Sequence, residues 1–464
     1  MMSHFVKLCC RPHFIRKSCE NVFLRDFLHR NYQKTFVNVF NNNLRRGCYA
    51  TSTSSVITLL KSSSKREASV PPLQSLRRWQ SSSSSTSQIL SQKPDTNSVQ
   101  PPNDLNIIKL RSWAFSVELF GNLIIRTSLS VRVTPINPHE YPAADRAFIH
   151  LMLKSRAAET KSGLKDYLQE DEVGLWQRFV RGDVLHQDAT IDVSGDVVEE
   201  EMTSLEDAEL LWLIEVPMSY DVDAESSGGG AIAVNQLENQ ICKLQTETGN
   251  IVTNKLKSDK VTLKSASGDI NCVKVLQGNI TIATGNQGTV TTDRLQGQDI
   301  SVSADSGVVV VKDIYARQAA FKSRKGDIQL GNLHGDVQVS CGQGNVGIVS
   351  LDGSLKADID QGNLSAYIVK HTDVNITCKQ GDIAIQTPLE VQTNLHLQAS
   401  QGIHTAEELA SKFTSEVEEK DVVQENTKLG RLNEGGASSL TASSPQGSIT
   451  LSVQSWFDSL QLQK

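Results

Sequence analysis

The sequence predicts an all-β fold, a single-stranded β-solenoid (β-helix) of about eight or nine coils, and three observations carry that reading. The first is a recurring glycine, followed by a small polar residue and then an aliphatic one. It reads Gly249-Asn250-Ile251, Gly268-Asp269-Ile270, Gly326-Asp327-Ile328, Gly344-Asn345-Val346, Gly362-Asn363-Leu364 and Gly381-Asp382-Ile383. With weaker copies at Gly288 and Gly307 the steps are 18 or 19 residues, and once 20. A period near 20 marks a repeat that cannot bury its apolar face alone and must stack. The second is strict alternation of apolar and polar residues between the glycines, the period of a half-buried strand. The third is a second glycine about halfway along many coils, at Gly278, Gly297, Gly335 and Gly353. Each coil then reads as two short strands and two corners.

Aligned on the glycine, the columns name the core. Two residues on stand Ile251, Ile270, Val290, Val309, Ile328, Val346, Leu364 and Ile383. Four on come Thr253, Cys272, Thr292, Val311, Leu330, Ile348, Ala366 and Ile385. Seven on come Leu256, Val275, Leu295, Ile314, Leu333, Leu351 and Val369, and five before come Leu244, Leu263, Val302, Phe321, Val339, Ala357 and Ile376. Enrichment in Val, Ile and Thr agrees with strands.

The rest of the 464 residues divides by composition. Residues 1–94 hold 15 Lys plus Arg against three acids (Glu20, Asp26, Glu67), while the whole chain carries a formal net charge of −6. A basic, hydroxyl-rich, acid-poor head is the composition of a mitochondrial transit peptide, so import, to the matrix above other compartments, is expected. The alternative is a basic tail for nucleic acid or acidic membranes, but the acidic body disfavours nucleic acid. No apolar run approaches the length of a transmembrane helix.

A Ser/Pro/Gln linker leads to a β-rich N-terminal region, 104–227. Within it, 145–181 is charged and fits either a helical insertion or a flexible excursion. The repeats follow Gly228-Gly229-Gly230 and run over 228–403. Residues 404–445 read as a charged, then Gly/Ser-rich loop, helix-containing or disordered. A last glycine signal, Gly447-Ser448-Ile449, opens 446–464, a terminal strand and a cap in which Trp456 and Phe457 cover the open end.

A search for chemistry returns no catalytic, cofactor-binding or metal residue. Cys9, Cys10, Cys19 and Cys48 fall in the head; Cys242, Cys272, Cys341 and Cys378 are widely spaced in the repeats, with no C-x-x-C pair. They read as small core residues in a reducing compartment. The corner acids Asp269, Asp327 and Asp382, with Asn345 and Asn363, suit a ladder that satisfies backbone groups. Asp327 and Asp382 stand three coils apart, about 14 Å by strand spacing, too far for a glycosidase pair. Asp358 and Asp360 share a strand face beside Lys356. His334, His371, His396 and His404 have no metal-site spacing. Calcium repeats need G-G-x-G-x-D, and most half-coils here have one glycine. Neither a phosphate loop nor a G-x-S-x-G elbow is present. A sugar-binding face would find little to stack on beyond Tyr315, Phe321 and Tyr367.

The S-G-D-I and G-N-I coils resemble the family known as the putative-adhesin domain. Phe120-Gly121-Asn122-Leu123, the stretch from Val133 through Pro135, Pro138, Tyr141-Pro142 and Asp145-Arg146, and the ending Gln454-Ser455-Trp456-Phe457 with Ser459-Leu460 and Leu462 resemble animal proteins of the "family with sequence similarity" series that carry this domain. The resemblance covers about 112 to the end and implies a β-solenoid, a mitochondrial association and no known catalytic residues. The expected function is a non-enzymatic, monomeric scaffold with an unidentified protein partner. The rivals are a polymerising structural element and a carbohydrate-active β-helix enzyme.

Overall fold

The computed structural model describes residues 106–155, 177, 179–198, 208–415 and 426–454. The transit-peptide reading of 1–94, the charged stretch 156–176 and the cap at Trp456 and Phe457 lie outside these residues. All the described residues belong to one compact unit, Thr96–Lys464.

The N-terminal region is built of β1 (Asn106–Ser116), β2 (Asn122–Thr127), β3 (Ser130–Pro135), β4 (Arg146–Ser155), β5 (Val180–Gln187), β6 (Thr190–Val197), β7 (Ala208–Val216), β8 (Asp221–Ser226) and β9 (Ile232–Asn235). The repeats follow as β10 (Glu238–Thr246), β11 (Ile251–Ser265), β12 (Ile270–Asn286), β13 (Val290–Ser306), β14 (Val309–Lys325), β15 (Ile328–Gln343), β16 (Val346–Gln361) and β17 (Leu364–Gln380). The C-terminal part holds β18 (Ile383–Thr387), β19 (Thr393–Ala399), β20 (Ile403–Thr405), α1 (Glu407–Ala410), β21 (Phe413–Ser415), β22 (Thr427–Leu432), β23 (Ser439–Ser444) and β24 (Ile449–Val453).

The result is an all-β solenoid of about nine turns. From β11 to β17 each coil is one strand bent in the middle, and successive coils pair in parallel along both legs. The first legs stack into one face, sheet I, and the second legs into another, sheet II. The two-, four- and minus-five columns are all buried between them. The seven-on column needs two corrections. Val369 is exposed and Val275 only half-buried, and the core position is taken by Ile368 and Leu276. Leu276 pairs with Leu256 and Leu295, and Ile368 with Leu351, across bulges that absorb the uneven coil lengths.

Glycine marks the first corner because nothing larger fits between the rungs. A methyl group built on Gly249, Gly268, Gly307, Gly326, Gly344, Gly362, Gly381 or Gly447 would land on the carbonyl oxygen of the corner glycine one coil before. Four of these, Gly326, Gly344, Gly362 and Gly381, also have φ between 127° and 149°. Close approach is therefore the shared requirement, and left-handed backbone an added one in the later coils.

The coil order in space departs from the chain order at both ends. In sheet II β2 lies between β6 and β8, and in sheet I β3 lies between β7 and β9. The first coil in the chain is thus the second in the stack. At the other end β23 sits between β17 and β19, and β24 between β18 and β20. Gly447 accordingly stacks on Gly381. Beyond β19 come β22 and β21, both antiparallel, with Leu409 of α1 fully buried and Phe413 packed against the core.

Two stretches differ from the sequence reading. Residues 146–155 of the charged insertion form β4, because Ala147, Ile149, Leu151 and Leu153 alternate into the core against β1 and β7. The stretch 404–445, expected as a helix-containing or disordered loop, holds the short helix α1 and also three strands, β21, β22 and β23. Pairing with the solenoid end, which local composition does not reveal, sets its structure.

Gly362→Ala is expected to lower stability by more than about 2 kcal/mol, combining a left-handed φ with a backbone collision. Gly347→Ala, where a Cβ meets nothing within 4 Å, should stay within about 0.5 kcal/mol. Equilibrium denaturation of both variants checks the pair.

Candidate functional site

The corner acids come together in a single row and are already engaged. The Asn250 Oδ1 accepts the Asp269 N–H at 2.8 Å, and Asp269 in turn accepts from Thr289. Asp327 accepts from Asn345, Asn345 from Asn363, Asn363 from Asp382 and Asp382 from Ser448, at 2.7 to 3.1 Å. Each side chain satisfies the equivalent N–H of the next coil, which would otherwise be an unpaired group. The Ser448 backbone and hydroxyl donors hold the Asp382 carboxyl below the usual carboxylate range.

A second row lies just inside the corner. Thr246, Thr284 and Ser323 donate their hydroxyls to the carbonyl of the following corner glycine, at 2.6 to 3.1 Å. Ser444 donates to Gly381 at 2.8 Å. Cys341 and Cys378 occupy the same column, with Cys378 Sγ 3.0 Å from the Gly362 carbonyl. These thiols stand in for hydroxyls. Burial pushes Cys242 and Cys272 up to about 12 and Cys341 to about 11. A nucleophile needs the thiolate, so these four are poorly suited to that work.

The remaining candidates are dispersed. Asp360 pairs with Lys379 at 2.7 Å, and Asp358 is exposed. Similar one-coil ion pairs join Lys312 to Asp293 and Arg317 to Asp299. Tyr315 stacks on His334 at 4.8 Å, and His334 Nδ1 lies 3.5 Å from Asp352. Phe321 points into the core. His371 is buried, its Nε2 2.8 Å from Thr393 Oγ1, and burial lowers its pKa. His396 and His404 are exposed. Among the described residues no group of three or more His, Cys, Asp or Glu is placed to hold a metal. No helix among them is long and apolar enough to cross a membrane.

Two surfaces break the polar regularity. One is the second corner near the N-terminal end, where Leu119, Phe120, Met218 and Ile241 are 46%, 64%, 41% and 49% exposed. They stand on neighbouring rungs: the Gly121 carbonyl accepts the Asp221 N–H, the Met218 carbonyl accepts the Glu238 N–H, and Asp221 Oδ1 accepts from Gln240 and Ile241. The other is a groove of about 1090 Å³ along the outer face of sheet I, floored by small residues including Gly331, Gly347, Ser365 and Ala384. A groove of about 760 Å³ on sheet II is lined mostly by polar side chains. The glycine columns gave no sign of the corner patch, because Leu119, Phe120 and Met218 lie outside the strands and Ile241 lies at the start of β10, before its alternation sets in. An apolar residue at a corner, as in Phe120-Gly121, was the available signal.

Residues 272–452 match the model of the Toastrack DUF4097 family. Among solved structures the chain is similar to a putative cell adhesion protein from Clostridium sporogenes ATCC 15579. That match has 10% identity and a TM-score of 0.15, covering 74% of this chain and 99% of the other. It is also similar to putative adhesins from Parabacteroides distasonis ATCC 8503 and Bacteroides fragilis NCTC 9343. These have 10% and 11% identity and TM-scores of 0.28 and 0.23, covering 76% and 75% of this chain and 98% and 97% of theirs.

Native protein at pH 8 should leave Cys242, Cys272, Cys341 and Cys378 unlabelled by iodoacetamide, with all four reacting in denaturant. Cys378→Ser should match the parent in stability, while Cys378→Ala should cost about 1 kcal/mol by orphaning the Gly362 carbonyl.

The C-terminal end should loosen in acid in two stages. His371 has a folded pKa lowered from 6.5, so its contribution is complete above that value and declines as pH falls below it. Asp382 is lowered from 3.8, so its contribution is present above that value and lost below it. Hydrogen exchange of β19 and β23 should rise first, then that of β24. Asp382→Asn, which keeps the acceptor, should remove the second stage.

Proposed function

We propose that this protein is a non-enzymatic, monomeric β-solenoid scaffold that works in mitochondria by holding a protein partner at the apolar corner beside β2, β8 and β10. The observation that carries the reading is that corner: four large apolar side chains are exposed on adjacent rungs, although side chains elsewhere on the outer faces are mostly polar. Apolar clusters left in water mark association sites. The non-enzymatic part is supported by the use already made of the acids and thiols, which serve as rung-to-rung acceptors and core hydroxyl substitutes. The mitochondrial part is supported by the composition of residues 1–94. Antiparallel strands cover the parallel stack at both ends, which favours a monomer over an end-to-end polymer.

Proximity labelling from the full chain, head included, is expected to mark mitochondrial proteins. The double variant Phe120→Asp, Ile241→Asp should lose the main labelled partner with its unfolding midpoint kept. Nuclear or secretory neighbours would overturn the location, and a labelling pattern unchanged in the variant would overturn the surface.

A further inference from the structure

The two corners of each coil use their amides differently. At the first, Asn250, Asn345 and Asn363 each accept the backbone N–H of the next rung. At the second, the parallel ladder runs on through the bend, pairing Gln277 with Gln296, Gln296 with Tyr315 and Gly297 with Ala316. Side chains are not drawn into rung-to-rung bonds there. Gln277, Asn279, Gln296 and Gln298 are all exposed, and none has a hydrogen-bond partner among the described residues.

These amides wall a groove of about 790 Å³ that follows the second corner from Glu238 of β10 to Ala316 of β14. Its floor is bare because the rungs approach too closely for side chains. A methyl group built on Gly278 would strike the Ser258 carbonyl, and one on Gly297 the Gly278 carbonyl. Across β12 and β13 the lining is amide and glycine alone. At the β10 end Glu238 and Lys257 pair at 2.9 Å, and Asp259 is the one lining charge without an ion pair among the described residues. That end opens onto the exposed Leu119, Phe120, Met218 and Ile241. Asn239, in the groove lining, donates to the Tyr220 and Ile241 carbonyls, and the Glu238 N–H bonds the Met218 carbonyl. Patch and groove are one continuous surface.

A ligand of that surface must offer apolar bulk at one end and neutral donors and acceptors along the rest. A carboxamide holds a donor and an acceptor in one plane, the complement of a peptide group, so it bonds a main chain whatever side chains that chain carries. An oligosaccharide would look for an aromatic face to stack on. Tyr315 offers none: His334 of the next coil lies parallel to it at 4.8 Å, and Arg294 of the previous coil lies over the ring at 5.8 Å.

We infer that the partner is engaged through an extended peptide segment, an inference that rests on the reading of the apolar corner as its anchor. Large apolar side chains at one end of the segment seat against Phe120 and Ile241. Its main chain then runs along the second corner, bonded by the four amides as far as Tyr315. From the β2 rung to the β14 rung is six coil steps, about 29 Å at strand spacing and the reach of about nine extended residues. Where it crosses β12 and β13 the segment is uncharged, because a covered charge without a partner is costly.

The probe is a phage-displayed library of random dodecapeptides, selected on the full chain. Enriched sequences are expected to carry large apolar residues at one end, followed by an uncharged stretch. Their synthetic peptides should bind about ten-fold more weakly to the double variant Gln277→Ala, Gln296→Ala, and also more weakly to Phe120→Asp, Ile241→Asp, with both unfolding midpoints kept. Loss in the corner variant alone would overturn the groove and leave the corner as a binding site. No enrichment, or peptides indifferent to both variants, would overturn the groove as well. Binding of chitohexaose or maltohexaose that the amide variant weakens would replace the peptide with a glycan. Failure of the corner reading itself shows separately, as proximity labelling that the corner variant leaves unchanged.

Discussion

Everything in this solenoid depends on how closely one corner approaches the next. Parallel legs must sit at strand-pairing distance on both faces at once, so the backbone between them has no freedom to swing outward. The corner glycine brings its α-carbon against the carbonyl of the glycine beneath, where no side chain fits. That carbonyl is then turned inward, and a buried acceptor needs a donor. A hydroxyl or thiol three or four residues before the glycine supplies it in several coils, and elsewhere the equivalent residue of the next rung reaches back to it. The outward residue after the glycine takes the complementary task, bonding the next N–H. Glycine, inner hydroxyl and outer amide or carboxylate thus form one unit, and the aliphatic core is stacked behind it.

This unit explains why the search for chemistry along the repeats found structure. An aspartate whose oxygen accepts the next rung's amide, or a thiol buried against a carbonyl, is chemically occupied. Departures from the repeat are more informative. The Leu119, Phe120, Met218 and Ile241 corner lies where the N-terminal coils begin. Tyr367 lies where the C-terminal coil rejoins.

Much of the core was legible from the sequence because side-chain burial alternates with period two and the glycine sets its phase. The columns at two, four and minus five were read correctly for that reason. Val275 and Val369 were misplaced because coils of 18, 19 and 20 residues share one stack, and the difference is absorbed by bulges that only pairing reveals. Residues 146–155 mix charges with apolar residues and fit either a helical insertion or a flexible excursion until their partners in β1 and β7 are known. The stretch 404–445 failed for the same reason, since its order comes from rungs far away in the chain. The functional surfaces were the least legible, because exposure at a corner depends on which coils neighbour it.

The interleaved coils bear on how this molecule comes into being. A solenoid whose rungs follow chain order can grow from one end, each new coil settling on the last. Here the rung made by β23 and β24 is synthesised last yet belongs inside the stack, so β19 and β20 cannot settle in their final register until the final strands arrive. Assembly of that end is thereby deferred until β23 and β24 have been made. A premature stop before Ser439 would remove an interior rung instead of trimming the end, leaving β17 and β18 facing strands they cannot pair with.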